Sequence, residues 1–134
     1  LKIEKVPVEW VNRVWEQVAP HIESALDWCD GEYTVDHARV LVTSGQWVLL
    51  VALEDDRIVG AATLTLFNRP TDRVAFITAI GGAGVSSQET FAQLRAIAAA
   101  HGATCLEGAA REAVARLWRR YEFEEKYRIV GVKL

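Results

Sequence analysis

The segment from Trp47 to Ile80 constrains the fold most. Trp47 to Leu53 is continuous, apolar and β-prone, Glu54-Asp55-Asp56-Arg57 is a polar turn, and Ile58 to Phe67 is β-rich again. Two such runs around a short polar break predict a hairpin. A second turn, Asn68 to Arg73, leads into a third run from Val74 to Ile80. The middle of the chain is therefore expected to be an antiparallel meander, whose apolar faces need covering elements.

The flanking segments supply them. Leu1 to Val6 alternates and predicts a short strand ending at Pro7. Val11, Val14, Trp15, Val18 and Ile22 recur at helical spacing. Pro20 is expected to divide this stretch into two helical pieces, before and after Ala19, with Gly31 stopping the second. A further helix is expected after Thr34, a plausible N-cap, and ends at Gly45. Beyond the meander, Ser86 and Glu89 have capping-box spacing. Phe91, Leu94, Ile97, Ala98 and His101 follow at helical intervals and predict a helix over 87–101, ended by Gly102. Residues 103–108 predict a short strand, 111–121 a helix, and the alternating segment 124–134 a final strand. Strand, helix, strand order implies a parallel crossover, with 74–80 and 104–107 as parallel neighbours. The fold class is α+β, a mixed central sheet flanked by helices.

Composition narrows the function classes. The 134 residues suit one domain, 1–134. A net charge of −3 gives no electrostatic footprint for nucleic acid, and none is expected as a partner. No apolar run is long enough to span a bilayer, and the first residues lack a signal peptide's apolar stretch, so a cytoplasmic location is expected. Cys29 and Cys105 lie in apolar segments and read as buried thiols in a reducing compartment. His21, His37, His101 and the two cysteines are too scattered for a metal site, and none is expected. Of the five tryptophans, Trp15, Trp28 and Trp47 fall on apolar faces and are expected in the core. Trp10 lies off the main stripe of its helix. With Arg119 and Arg120 it is the candidate contact surface for a protein partner or a homo-oligomer, since tryptophan and arginine are enriched at interfaces.

The loop Gly81-Gly82-Ala83-Gly84-Val85-Ser86-Ser87 opens the helix after the meander. It has no Lys-Ser/Thr pair, which a P-loop requires. Gly82-x-Gly84-x-x-Ser87, with Glu107 about 20 residues on, matches a dinucleotide fingerprint only in part: the third glycine is missing and no second mononucleotide-binding half follows. Two readings stay open. The amides of Gly82, Ala83, Gly84 and Val85 form a candidate anion cradle at a helix N-terminus, or the glycines serve a chain reversal that needs their dihedral freedom.

The order of elements resembles the GCN5-related N-acetyltransferase (GNAT) fold along nearly the whole chain. Its most specific local trace is "RLWRRYEF", where Leu117 and Phe123 match the family's Leu-Tyr-x-x-x-Gly-Phe stretch. Trp118 stands at the motif tyrosine and Glu122 at the glycine. "GGAGVSS" occupies the place of the family's pyrophosphate loop without its Gln/Arg spacing. The resemblance implies acetyl-CoA as cofactor, held at Gly82, Ala83, Gly84, Val85 and Trp118. It also implies a tyrosine that protonates the departing thiolate. An indole cannot deliver that proton near neutral pH, which leaves Tyr121, one turn along, as the candidate catalytic residue. Glu54, Asp55, Asp56 and Asp72, the acids of the meander turns, read as solvated rather than as a base. Arg111, Arg116, Arg119 and Arg120 form a basic face that could meet coenzyme phosphates or solvent. The pattern is also similar to small GNAT-like proteins of tailed bacteriophages, often encoded near virion-assembly genes, in "VWEQVAPHIESAL" and "GEYTVDHARVLVTSGQWVLLVAL". These resemblances imply a degenerate acetyl-CoA site on a binding or assembly module, in host cytoplasm or virion, with no cofactor. The alternative is an active N-acetyltransferase moving acetyl from acetyl-CoA to an amine, and a third reading keeps the cleft for another small anion.

Overall fold

The structure, a computed structural model, describes residues 1–29 and 31–134. Five strands form one sheet in sequence order: β1 (Lys2–Val6), β2 (Val48–Glu54), β3 (Arg57–Asn68), β4 (Arg73–Gly82) and β5 (Cys105–Gly108). β1 through β4 pair antiparallel, and β4 pairs with β5 in parallel. The mixed sheet and the crossover expected from the sequence are both present. The β2–β3 turn places Asp55 and Asp56 at positive φ, a conformation that aspartate tolerates better than most residues.

Four α-helices cover the sheet among the described residues: α1 (Val11–Leu26), α2 (Val35–Thr43), α3 (Gln88–Ala100) and α4 (Glu112–Trp118). Strand alternation divides the core in two. Leu49, Val51, Ala61 and Ala79 face α1 and α2 together with Trp15, Val18, Ile22 and Trp47. Leu50, Ala62, Leu64 and Ile77 face α3 and α4 with Phe91, Leu94 and Trp118.

Five expectations are corrected. First, α1 is one continuous helix with Pro20 inside it. Val11, Trp15, Val18, Ile22 and Leu26 are buried along its full length, and that packing outweighs the roughly 3 kcal/mol that an interior proline costs. Pro20 and Glu16, whose carbonyl loses its i+4 partner, are on the exposed face. Second, the N-cap of α3 is Ser87, not Ser86: its Oγ accepts from the Thr90 amide at 3.2 Å. Glu89 instead lies 3.5 Å from the terminal ammonium of Leu1. Third, Trp28 is 67% exposed, because α1 ends at Leu26 and the indole falls beyond the buried stripe. Fourth, residues 124–134 form no strand. The last backbone bond is Phe123 N–H to the Trp118 carbonyl at 3.2 Å, and none follows it among the described residues. Alternation specifies a strand only where a neighbouring edge supplies hydrogen bonds. Fifth, Cys29 and Cys105 are half-buried rather than buried. The T-shaped pair of Tyr33 and Trp47, 4.9 Å between centroids, closes the rim of the α1–α2 layer.

Gly81 fixes where α1 crosses the end of β4. A Cβ there would meet the backbone carbonyl oxygen of His21 at 2.2 Å. Backbone cannot retreat as a side-chain tip can, so Gly81→Ala should lower the unfolding free energy by about 1–3 kcal/mol, the range for overpacking. A urea midpoint equal to wild type would show that α1 is not seated on Gly81.

Candidate functional site

β4 has ten residues and β5 has four. The parallel ladder joins only Val74–Ile77 to Cys105–Gly108. Beyond that point β4 runs on to Gly82 without β5 beside it. A bulge stands at the same height: Thr63 pairs with Ala79 and Leu64 with Ile77, so Thr78 is the extra residue. Its hydroxyl donates to the Thr63 carbonyl at 3.0 Å and lies 2.6 Å from the Thr63 hydroxyl. This satisfies a carbonyl that the interrupted ladder would otherwise leave alone.

The glycine loop follows the unpaired end of β4 and precedes α3. Gly82 and Gly84 have positive φ, and Gly82 lies against Gly60 and Val59 so closely that a Cβ would meet their backbone at 2.5 Å. Ala83 and Gly84 are exposed. The amides of Ala83, Gly84 and Ser86 donate to no acceptor among the described residues. They stand just before α3, whose first-turn amides are also free by helix geometry. Val85 differs: its side chain is buried against Gly60, and its amide turns inward to the Gly82 carbonyl at 3.4 Å. It anchors the loop rather than lining it.

Trp118 is 3% exposed and packs in the core between the sheet and α3. A Cβ at Gly108, the last residue of β5, would meet its ring at 2.9 Å and Ile77 at 3.4 Å. Phe91 from α3 and Phe123 pack on the indole with centroids 5.3 and 5.2 Å away. Its Nε1 is buried without an acceptor. Tyr121 stacks on Phe91 at 5.0 Å, and its hydroxyl donates to the Ser86 carbonyl at 3.1 Å. The structure thus gathers Gly82, Ala83, Gly84, Val85, Trp118 and Tyr121 into one region, linked by Phe91 and Ser86. Trp10, Arg119 and Arg120 lie outside it on exposed surface. Asp55, Asp56 and Asp72 remain in turns at the sheet ends.

Sequence reasoning missed two features. Arg111 is the N-cap residue of α4, and its guanidinium lies 3.9 Å from the centroid of Trp28, joining the end of α1 to the β5–α4 loop. Glu107 is held by Arg69 (Nη2 to Oε1, 2.9 Å) and by Lys126 (Nζ to Oε2, 2.9 Å). Its spacing from the glycine loop suggested a ribose ligand, but the carboxylate is occupied by these cations. The Arg69 hydrogen bond, then the Lys126 one, lower its pKa to about 2, against the opposing effect of burial. Burial pushes both cysteine thiols up, which disfavours the thiolate. Among the described residues, no cluster of three or more His, Cys, Asp and Glu could hold a metal ion. No helix among the described residues is long and apolar enough to cross a membrane.

Solved structures share this architecture. An aminoglycoside acetyltransferase from an uncultured soil metagenomic sample, in complex with trehalose, superposes with a TM-score of 0.72 at 14% identity, covering 99% of this chain and 94% of that one. A ribosomal-protein-alanine N-acetyltransferase from Brucella melitensis biovar Abortus gives 0.70 at 14% identity, over 100% of both chains. A predicted acetyltransferase with acetyl-CoA from Clostridium acetobutylicum gives 0.66 at 12% identity, over 98% and 95%. The chain has the GNAT fold. No protein-family model and no curated protein sequence matches it, so the likeness rests on structure.

The Glu107 cluster gives a pH test. Its folded pKa lies below the ordinary value of 4.5, so its stabilisation is complete above that value and is lost as pH falls toward about 2. The stability gap between wild type and Glu107→Gln should be constant above pH 5 and shrink between roughly pH 4.5 and 2. Urea titrations at stepped pH measure it. A gap that stays constant through that window would mean the carboxylate is not held by these cations.

Proposed function

We propose that this chain is a GNAT-fold protein whose acetyl-CoA site has degenerated, and that it serves as a binding or assembly module. The position of Trp118 carries the reading. Its indole packs over Gly108, the last residue of β5, at the motif position where the resemblance calls for a proton-donating tyrosine. General acid work needs a titratable proton within reach, and the indole N–H donates a hydrogen bond without releasing a proton near neutral pH. Tyr121 commits its hydroxyl to the Ser86 carbonyl and its ring to Phe91.

The residues present fit one end of the coenzyme. The amides of Ala83, Gly84 and Ser86, with the start of α3, can hold phosphate oxygens, and the buried Nε1 of Trp118 is a donor lacking an acceptor. Bound acetyl-CoA would supply an activated thioester. The helix dipole favours an anion by ~0.3–1 kcal/mol. No lysine or arginine in the loop adds a charge-assisted bond, the stronger kind. Arg95 is turned away, donating to the Tyr121 carbonyl and pairing with Glu122, both at 2.8 Å. An assembly role, as the resemblance to small proteins of tailed phages implies, is supported by exposed Trp10 with Arg13 stacked 4.3 Å from its ring, and by exposed Arg119 and Arg120. A second reading, an active N-acetyltransferase, is favoured by the activities named for the solved structures of this shape.

Calorimetric titration with acetyl-CoA and an assay of thiol release with amine acceptors separate the two. Wild type should bind weakly and release no thiol above background. Trp118→Tyr should raise any turnover, since a general acid is worth ~10²- to 10⁴-fold in rate. Low-micromolar affinity with steady wild-type turnover would establish the enzyme and end the degenerate-site reading.

A further inference from the structure

β1 lies at one edge of the sheet, with β2 on one side and no strand on the other. Such an edge presents amides and carbonyls to any extended chain that meets it. In an antiparallel pair, residues that bond the partner strand alternate with residues whose N–H and C=O face away from it. Ile3 stands opposite Ala52, and Lys5 opposite Leu50. The Ile3 N–H faces outward: it donates to Oε1 of Gln93 at 2.8 Å. The same carboxamide donates from Nε2 to the Leu1 carbonyl at 2.9 Å.

These are the two groups that an added strand would take at this point. The C=O of one residue and the N–H two positions on receive a donor and an acceptor from a neighbouring chain. A glutamine side chain carries that same pair, an acceptor oxygen and a donor nitrogen. Glutamate could accept from Ile3 but could not donate to Leu1, and lysine could only donate. A leucine at this position could do neither.

The α3 helix holds the carboxamide in place. Gln93, Ile97 and His101 recur every four residues and so share one face of the helix. Gln93 is half-buried, and its Nε2 also donates to the Glu89 carbonyl, one turn back, at 3.4 Å. Ile97 and Ile3 pack against the same cluster as Leu50, Phe91 and Leu94. Two turns beyond Gln93, the His101 Nε2 lies 3.2 Å from the Lys5 Nζ. One face of α3 thus follows β1 from Leu1 to Lys5. The helix that crosses from β4 to β5 also covers the opposite edge of the sheet.

We propose that Gln93 is a latch on the β1 edge: its carboxamide stands in for a sixth strand and keeps that edge closed to strand addition by a second copy of the chain. Without it, the Leu1 C=O and the Ile3 N–H are released together. The Lys5 N–H faces the same way by alternation, so β1 then offers a continuous edge to β1 of another copy. The latch acts on backbone groups and is independent of the acetyl-CoA reading.

Hydrogen exchange followed by NMR should find the Ile3 amide protected in the wild type, although it faces away from β2. That measurement needs no variant. Gln93→Leu keeps a good helix former and removes both bonds. Exchange at Ile3 should then quicken by at least about tenfold, the equivalent of ~1.4 kcal/mol, which is the scale of one hydrogen bond. In sedimentation from low to high micromolar concentration, Gln93→Leu should associate more strongly than wild type. Adding Lys5→Pro, which deletes an outward N–H, should reverse the association. Adding Lys5→Ala, which removes only the ammonium, should leave it in place. Circular dichroism at low concentration checks that each variant is folded. Unprotected exchange at Ile3 in the wild type, association of Gln93→Leu no stronger than wild type, or association that survives Lys5→Pro would each overturn the latch.

Discussion

The mismatch between β4 and β5 is the constraint on which the rest of the structure depends. A ten-residue strand meets a parallel partner of four. A parallel ladder needs a crossover, and here α3 supplies it, starting from the glycine loop at one end of β4 and returning to the other. Where β5 stops, the sheet must either leave backbone and apolar surface open or fill the gap. The chain fills it with an aromatic cluster: Phe91 from α3, then Trp118, Tyr121 and Phe123 from the end of α4. Those rings hold the two helices of one face together.

The glycine loop is shaped by packing as much as by any ligand. Gly60, Gly82 and Val85 meet so closely that a Cβ at Gly60 would come within 2.4 Å of the Val85 side chain. Gly81 admits α1 from the opposite face. These contacts force the chain to reverse with glycine dihedrals and leave the amides of Ala83, Gly84 and Ser86 pointing away from the core's hydrogen bonds. Chain reversal and anion cradle are therefore two consequences of one backbone path. Selectivity between anions then falls to side chains, and the loop has none that is charged.

Electrostatics gathers at Glu107, one residue before the end of β5. Glu107 is half-buried and would be costly without partners. Arg69 from the β3–β4 turn and Lys126 from beyond α4 supply them. This three-residue group joins the meander, the crossover strand and the C-terminal segment.

Much of the architecture was legible in local pattern. The meander, the crossover and the α+β class follow from the switch between strand and helix periods around Asn68, Gly82 and Gly102, because side-chain alternation and turn chemistry are properties of neighbouring residues. The loop at Gly82–Val85 was legible for the same reason. What local pattern could not decide was burial and pairing. Pro20 stays inside α1 because the sheet beneath rewards a continuous stripe from Val11 to Leu26. Trp28 is apolar yet exposed, because the helix ends before it and Arg111, 83 positions later in sequence, is its neighbour. Residues 124–134 have a strand's alternation without a strand's partner. The clustering of Trp118, Tyr121, Phe91 and Ser86 is likewise tertiary: a motif marks which residues are present, but only the packing of α3 and α4 on one face of the sheet brings them together. Sequence encodes the conformations each segment prefers, and the packed whole selects which of those preferences finds a partner.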